Sequence, residues 1–205
     1  MREPSEPLSL TKQHCQQASH VLSRAFYHDP MLRFIIPNDA QRARLLPSFY
    51  RIVVRYCILY GEGYIMPEQD GVACWLRPGD TTPGMARLVR IGMRGAPVGI
   101  GLSGLRRFMA VARYSEQIHA RCVPGFHWYL WALGVEPARQ GHGIGGRLMQ
   151  PVLARASADG LPCYLETMNE ANLPFYERYG FRAVNEGVVP GGTGRDLRVW
   201  TMLRS

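Results

Sequence analysis

The chain has 205 residues, 46% of them hydrophobic and 20% charged, with a formal net charge of +8. That length suffices for one ordinary α/β domain with a core needing neither metals nor disulfides, and the composition excludes global disorder. No apolar run is long enough to span a bilayer, and Met1-Arg2-Glu3-Pro4-Ser5-Glu6 lacks the apolar stretch of a signal peptide, so a cytoplasmic protein with no membrane partner is expected.

In chain order, Leu8-Ser9-Leu10-Thr11 alternates as a short strand does, and Ala18, Val21, Leu22, Ala25 and Phe26 recur at helical spacing within Gln13–Phe26. Tyr27-His28-Asp29-Pro30 breaks that pattern, because the residue before proline is pushed out of the helical region. A second helix is predicted from Ala40 to Leu59, with Leu45, Leu46, Phe49, Ile52, Val53 and Tyr56 on one face. Gly61-Glu62-Gly63 reads as a turn, and Tyr64–Met66 with Val72–Leu76 as a hairpin. Helices follow near Met85–Met93 and over Gly104–Arg121, separated by the glycine-rich stretch 95–101. Downstream, the pattern predicts a strand at His127–Val135, a helix at Gly143–Ala158 and a buried strand at Leu161–Thr167. A short helix at Leu173–Tyr179 precedes strands starting at Phe181 and Leu197. No repeat or linker divides the chain, so one domain over 1–205 is expected.

The five cysteines are scattered and form no CxxC pair or Cys/His cluster with zinc spacing, which argues against a metal. The positive charge suits a nucleic acid or an anionic cofactor equally well. It is spread along the chain with no dense basic arm and no reader motif, so no nucleic-acid partner is expected.

Gln140-Gly141-His142-Gly143-Ile144-Gly145-Gly146 lies between a predicted strand and helix. Glycines admit a ligand close to the backbone, and the first N–H groups of the helix have no intrahelical acceptor, so the segment suits a pyrophosphate. Arg139 and Arg147 flank it and offer charge-assisted bonds. Gly141, Gly143 and Gly146 also satisfy G-x-G-x-x-G, and Glu166 ends the next strand where a ribose-binding acid would lie. Against a dinucleotide fold, five residues (136–140) separate strand and loop, too little chain follows, and no βαβ series precedes. A second match at Gly99–Gly104 follows a loop rather than a strand.

The strand Leu133-Gly134-Val135-Glu136-Pro137, then Gln140-x-x-Gly143-x-Gly145, then Asn169 and Phe175-Tyr176 before Gly180-Phe181, resembles the GNAT acetyltransferase superfamily. Within it, 165–181 and 198–202 look most like the puromycin N-acetyltransferase branch. The likeness is firm over Trp128–Phe181. It implies a mixed, mostly antiparallel α/β (α+β) sheet flanked by helices and opened near its fourth and fifth strands. The acceptor half would cover about 1–125 and the acetyl-CoA half about 126–205. It further implies that Leu133, Gly134 and Val135 offer backbone groups to the acetyl carbonyl and pantetheine arm. Gln140, Gly141, His142, Gly143, Ile144, Gly145 and Gly146 would wrap the pyrophosphate, and Asn169 would touch the arm. The acceptor implied by the puromycin likeness is a small-molecule amine.

Acetyl transfer needs a neutral amine, a polarised carbonyl and a proton for the thiolate. Tyr176 is the leading acid, and Glu166 the first choice of base. Tyr129, taken to share a strand face with Leu133, stands where some relatives of that superfamily carry a glutamate. Trp128, Tyr129 and Trp131 either wall the acceptor or pack the core. His28-Asp29 either lines the acceptor pocket or simply ends a helix. His127 reads as a strand-end residue and His142 as a loop residue facing solvent or phosphate. The alternative from another class is a non-catalytic acyl-CoA-binding module, and a homodimer is left open.

Overall fold

The computed structural model describes residues 5–92, 99–192 and 196–205. Strand β1 is Leu8–Ser9, and a turn of 3-10 helix at Lys12–His14 leads into helix α1, Cys15–Ala25. Its predicted core residues Ala18, Val21 and Leu22 are fully buried. The turn after it ends in an unforeseen helix, α2, Pro30–Ile35. Pro30 ends the α1 pattern, yet at the first position of α2 its fixed φ and missing N–H are favourable. Asp29 caps the helix, its Oδ1 accepting from the Met31 N–H at 2.9 Å.

Helix α3, Asp39–Tyr60, runs into β2, Glu62–Ile65, through Gly61. Glu62 and Gly63 therefore belong to the strand, not to a turn. Strand β3 is Gly71–Leu76, buried along its whole length. Helix α4 covers Met85–Arg90 and α5 Gly101–Cys122; the predicted helix end at Met93 and residues 95–98 of the glycine-rich stretch lie outside the described residues. Then come β4 (Trp128–Val135), α6 (Ile144–Ala158), β5 (Cys163–Thr167), α7 (Leu173–Glu177), β6 (Arg182–Val189) and β7 (Leu197–Arg204). Among the described residues no helix is long and apolar enough to cross a membrane.

The seven strands make one sheet in the order β1-β2-β3-β4-β5-β7-β6, antiparallel except where β4 runs parallel to β5. One core lies between the sheet and α1 and α3, built on Leu22, Val54 and Tyr56; the other lies under α6, built on Trp75, Leu148 and Val152. Two features of β4 set up the site. It pairs with β5 only from Trp128 to Leu130, so the strands part beyond that point. On its other side the register with β3 slips, Trp75 facing Leu130 but Cys74 facing Ala132, which makes Trp131 an extra, bulged residue.

A bulge shifts every later side chain to the opposite face. Tyr129 and Trp131 accordingly pack on the α1/α3 side, whereas Leu133 and Val135 pack on the α6 side. The expectation that Tyr129 shares a face with Leu133 is corrected here; unbroken alternation would require it, and the bulge removes it. Trp128 is likewise on the α6 side, under the guanidinium of Arg155 at 5.1 Å, and does not wall the same space as Tyr129 and Trp131.

Candidate active site

The Glu136 N–H donates to the Asp70 carbonyl across β3–β4 at 2.8 Å. Strand alternation then turns the peptide groups of Val135 and Leu133 away from β3, into the gap toward β5. The Gln140 amide agrees with this, its Nε2 donating to the Val135 carbonyl at 3.2 Å. Gly134, between them, has its peptide groups on the β3 side opposite Val72. Its missing side chain serves packing: a Cβ there would come within 2.8 Å of Leu22 Cδ2 and 3.0 Å of Ala25 Cβ.

The glycine segment divides by function. Gly141 and Gly143 hold φ of +80° and +75°, values L side chains rarely adopt, and a Cβ on either would meet nothing within 4 Å. Both face open space. Gly145 and Gly146 are buried, and there a Cβ would lie 3.0 Å from Phe175 Cζ and 1.7 Å from the Tyr179 hydroxyl. These two glycines let α7 press against the start of α6. The first N–H in α6 to find a helical acceptor is that of Arg147, on the Gly143 carbonyl at 3.2 Å. No side chain caps the helix, so the amides of Ile144, Gly145 and Gly146 begin it without an intrahelical acceptor. Ile144 anchors this end, its side chain filling the space over Gly71.

The flanking charges are partly engaged. Arg139 pairs with Asp70 at 3.0 Å, and Arg147 donates to the Ser5 carbonyl at 3.3 Å. His142 folds back on its own loop, Nδ1 lying 2.9 Å from the Gln140 carbonyl. Asn169 begins the turn before α7, with its side chain accepting from the Ala171 N–H at 3.2 Å. The open space over Gly141 and Gly143 and the unpaired amides suit a diphosphate approached through backbone groups.

Tyr176, on α7, is buried against Phe175 and Phe181, with ring centroids 5.0 and 6.0 Å away. Burial pushes its phenol well above its ordinary value, and the nearby charge of Asp29 pushes it the same way. Glu166 lies on β5 with its carboxylate on the α5 side. It accepts from the Tyr164 hydroxyl at 2.7 Å. Burial raises its proton affinity, while the hydroxyls of Tyr164, Ser115 and Tyr129 oppose the rise. Tyr164 and Ser115 were not singled out in the sequence. Tyr164 was in principle findable, since it precedes Glu166 by two residues and pairs in register with Tyr129. Ser115 comes from α5, and no local signal marks it. His127 is buried at the start of β4, with Nε2 2.6 Å from Nε2 of His119.

The chain matches the model of the Acetyltransferase (GNAT) family over residues 72–181, more than half its length. It belongs to the GNAT acetyltransferase family. That family uses acetyl-CoA as co-substrate, and the chain is accordingly an acyltransferase. It is 25% identical over 172 residues to an uncharacterized N-acetyltransferase of Schizosaccharomyces pombe, covering 81% of this chain and 70% of that one. The structure of a histone acetyltransferase HPA2 and related acetyltransferase from Corynebacterium glutamicum is similar, with TM-score 0.64, 24% identity and coverage of 97% and 96%. A Drosophila melanogaster polyamine N-acetyltransferase superposes with TM-score 0.55 at 18% identity, covering 97% of this chain and 99% of that one. The seven-stranded mixed sheet flanked by helices is the GNAT fold.

Proposed function

We propose that this GNAT protein moves the acetyl group of acetyl-CoA to a primary amine of a small molecule, by direct attack within a ternary complex. The observation that carries the reading is the contact of α6 with α7. Gly145 and Gly146 bring the helix bearing Tyr176 against the helix whose first amides are unpaired. A diphosphate on Gln140–Gly146 thus extends its arm along the parted β4 and β5, past Asn169, toward Tyr176. The Leu133 N–H, turned into the gap, donates to the acetyl carbonyl as charge develops there. Tyr176 stays protonated across the neutral range and supplies the proton for the departing sulfur. Glu166 gives the acceptor side a carboxylate ringed by the hydroxyls of Tyr164, Ser115 and Tyr129. Likeness to the puromycin branch favours a small molecule. So does the Drosophila neighbour, described as forming N-acetylagmatine.

The test is thiol release from acetyl-CoA across a panel of amines, with Tyr176→Phe as control. Turnover that falls about 100-fold in the variant, with unchanged CoA affinity, is expected. CoA binding without turnover on any amine, and an indifferent variant, would establish a non-catalytic acyl-CoA-binding module instead.

A further inference from the structure

The parting of β4 and β5 is a window between the two faces of the sheet. Tyr176 reaches it from the α6 side. What meets it from the α1/α3 side is the turn between α1 and α2. Helix α1 is seated on β4 at Gly134, where a Cβ would also lie 3.3 Å from Phe26 Cε2. Phe26 in turn stacks on Tyr50 of α3, with ring centroids 5.2 Å apart, and its carbonyl accepts from the Asp29 N–H at 3.0 Å. This chain of contacts sets Asp29 on the α1/α3 side of the sheet, by the stretch of β4 that has parted from β5.

The turn carrying Asp29 is held from below. Arg42 of α3, only 1% exposed, donates from Nε to the Tyr27 carbonyl at 2.8 Å and from Nη1 to those of Ile36 at 2.8 Å and Pro37 at 3.2 Å. One guanidinium therefore fixes both ends of the segment that contains α2. It spends its donors on the backbone and on Asp39, and leaves Asp29 without a cation. Asp29 uses Oδ1 to cap α2, accepting from the N–H groups of Met31 at 2.9 Å and Leu32 at 3.4 Å. Both of these bonds fall on Oδ1, and its Oδ2 takes no hydrogen bond or ion pair among the described residues. The hydroxyls of Tyr50 on α3 and Tyr176 on α7 both register its charge. Tyr176 registers no such influence from Glu166.

We propose that Asp29 is the catalytic residue that receives the acceptor's ammonium group and takes its proton, which restricts acceptors to cationic amines. The inference rests on the transferase reading and refines it: Asp29 works at the reacting nitrogen, and Glu166 with its three hydroxyls faces the remoter part of the acceptor. The ammonium gives one proton to Asp29 Oδ2, and the freed lone pair forms the C–N bond with the acetyl carbon. The C–S bond breaks, the sulfur takes the Tyr176 proton, and the nitrogen's second proton returns to the Tyr176 oxygen. Asp29 then releases its proton to water, so one ammonium and one thioester yield an amide, a thiol and a proton. An amino acid acceptor would bring its own carboxylate against Asp29 and Glu166 and is disfavoured.

Asp29→Asn is a clean test, because asparagine caps a helix as well as aspartate does. Burial holds the Asp29 carboxyl up at about 6, so kcat/KM of the wild type with 1,4-diaminobutane should rise through that pH and level off above it. In Asp29→Asn we expect kcat/KM at pH 7 to fall about 100-fold or more. It should then climb steadily toward the amine's own pKa as neutral amine becomes available. Diaminobutane binding to the protein–CoA complex, read by calorimetry at pH 7, should weaken at least about tenfold, with Tm and CoA affinity unchanged. Wild-type turnover of glycine should be far below that of diaminobutane. A variant that keeps kcat/KM within about threefold and keeps the acid limb overturns the inference and leaves the transferase reading standing. A wild type inert toward every amine overturns both.

Discussion

The two sides of the β4–β5 window recognise their ligands with different parts of the chain. On the cofactor side the groups offered are peptide N–H donors of Ile144, Gly145, Gly146 and Leu133, and glycine is required because side chains would block the approach or the α7 contact. On the acceptor side the groups offered are side chains: Asp29, Tyr129 and the β5 pair Tyr164 and Glu166 come from three separate segments and meet only through packing. A backbone site follows from one stretch of sequence and tolerates most substitutions that preserve its conformation. A side-chain site depends on whatever positions each segment, so its weak points lie far from the ligand. Two variants striking one side each should therefore separate cleanly, CoA affinity moving on one and amine turnover on the other.

The largest effect is expected at Gly143. Glutamate there must adopt φ near +75° and sets a negative charge beside the diphosphate. Gly143→Glu should weaken CoA at least about 100-fold in calorimetry while circular dichroism remains native. A folded variant with near-normal affinity would remove the loop from the cofactor site. Next in size is Tyr176→Phe, which leaves the shape intact and removes the proton donor. Its kcat is expected to drop about 100-fold with CoA affinity constant, and a loss of affinity instead would make Tyr176 a packing residue.

Arg42 sharpens the comparison from the acceptor side. Arg42→Ala strands the carbonyls of Tyr27, Ile36 and Pro37 and opens a cavity under the turn. Leaving buried acceptors unpaired costs on the order of 3 kcal/mol here, seen as a lower urea midpoint. The surviving folded fraction should bind CoA normally and acetylate amines poorly. Equal damage to CoA binding would show that the two sides are mechanically one.

This division also accounts for what could be read from residues alone. Gln140–Gly146, the strand before it and Phe175-Tyr176 lie within one contiguous stretch whose local geometry is written in glycine spacing, so sheet, helix and loop there were all anticipated. The separate duties of the glycines were not, because only the approach of Phe175 and Tyr179 distinguishes Gly145 and Gly146 from Gly141 and Gly143. The bulge at Trp131 carries no signal of its own; it arises from matching β4 to β3, and it moved Tyr129 to the other face. Helix α2 was hidden because Asp29-Pro30 starts a helix as readily as it ends one. Arg42 sits in the first turn of an amphipathic helix, where a charged residue reads as exposed, and its burial comes from carbonyls that converge only after folding.

The smallest effect tests the edge of the acceptor side. His127 keeps Nδ1 at 2.8 Å from the Gly125 carbonyl and so carries its proton there, which leaves Nε2 as the acceptor for His119 at 2.6 Å. The His119 ring stacks on Tyr164 at 4.3 Å, the tyrosine whose hydroxyl is on Glu166. Burial chiefly, and His127 next, hold His119 down at about 4 against an ordinary 6.5. A histidine whose folded value is depressed binds protons more readily unfolded, so stability is complete above about 6.5 and declines as pH falls toward about 4. His119→Phe keeps the stack and removes the titration. The Tm difference between pH 7 and pH 5 should shrink by a few degrees in the variant. A difference identical to wild type would mean that His119 does not contribute to acid sensitivity.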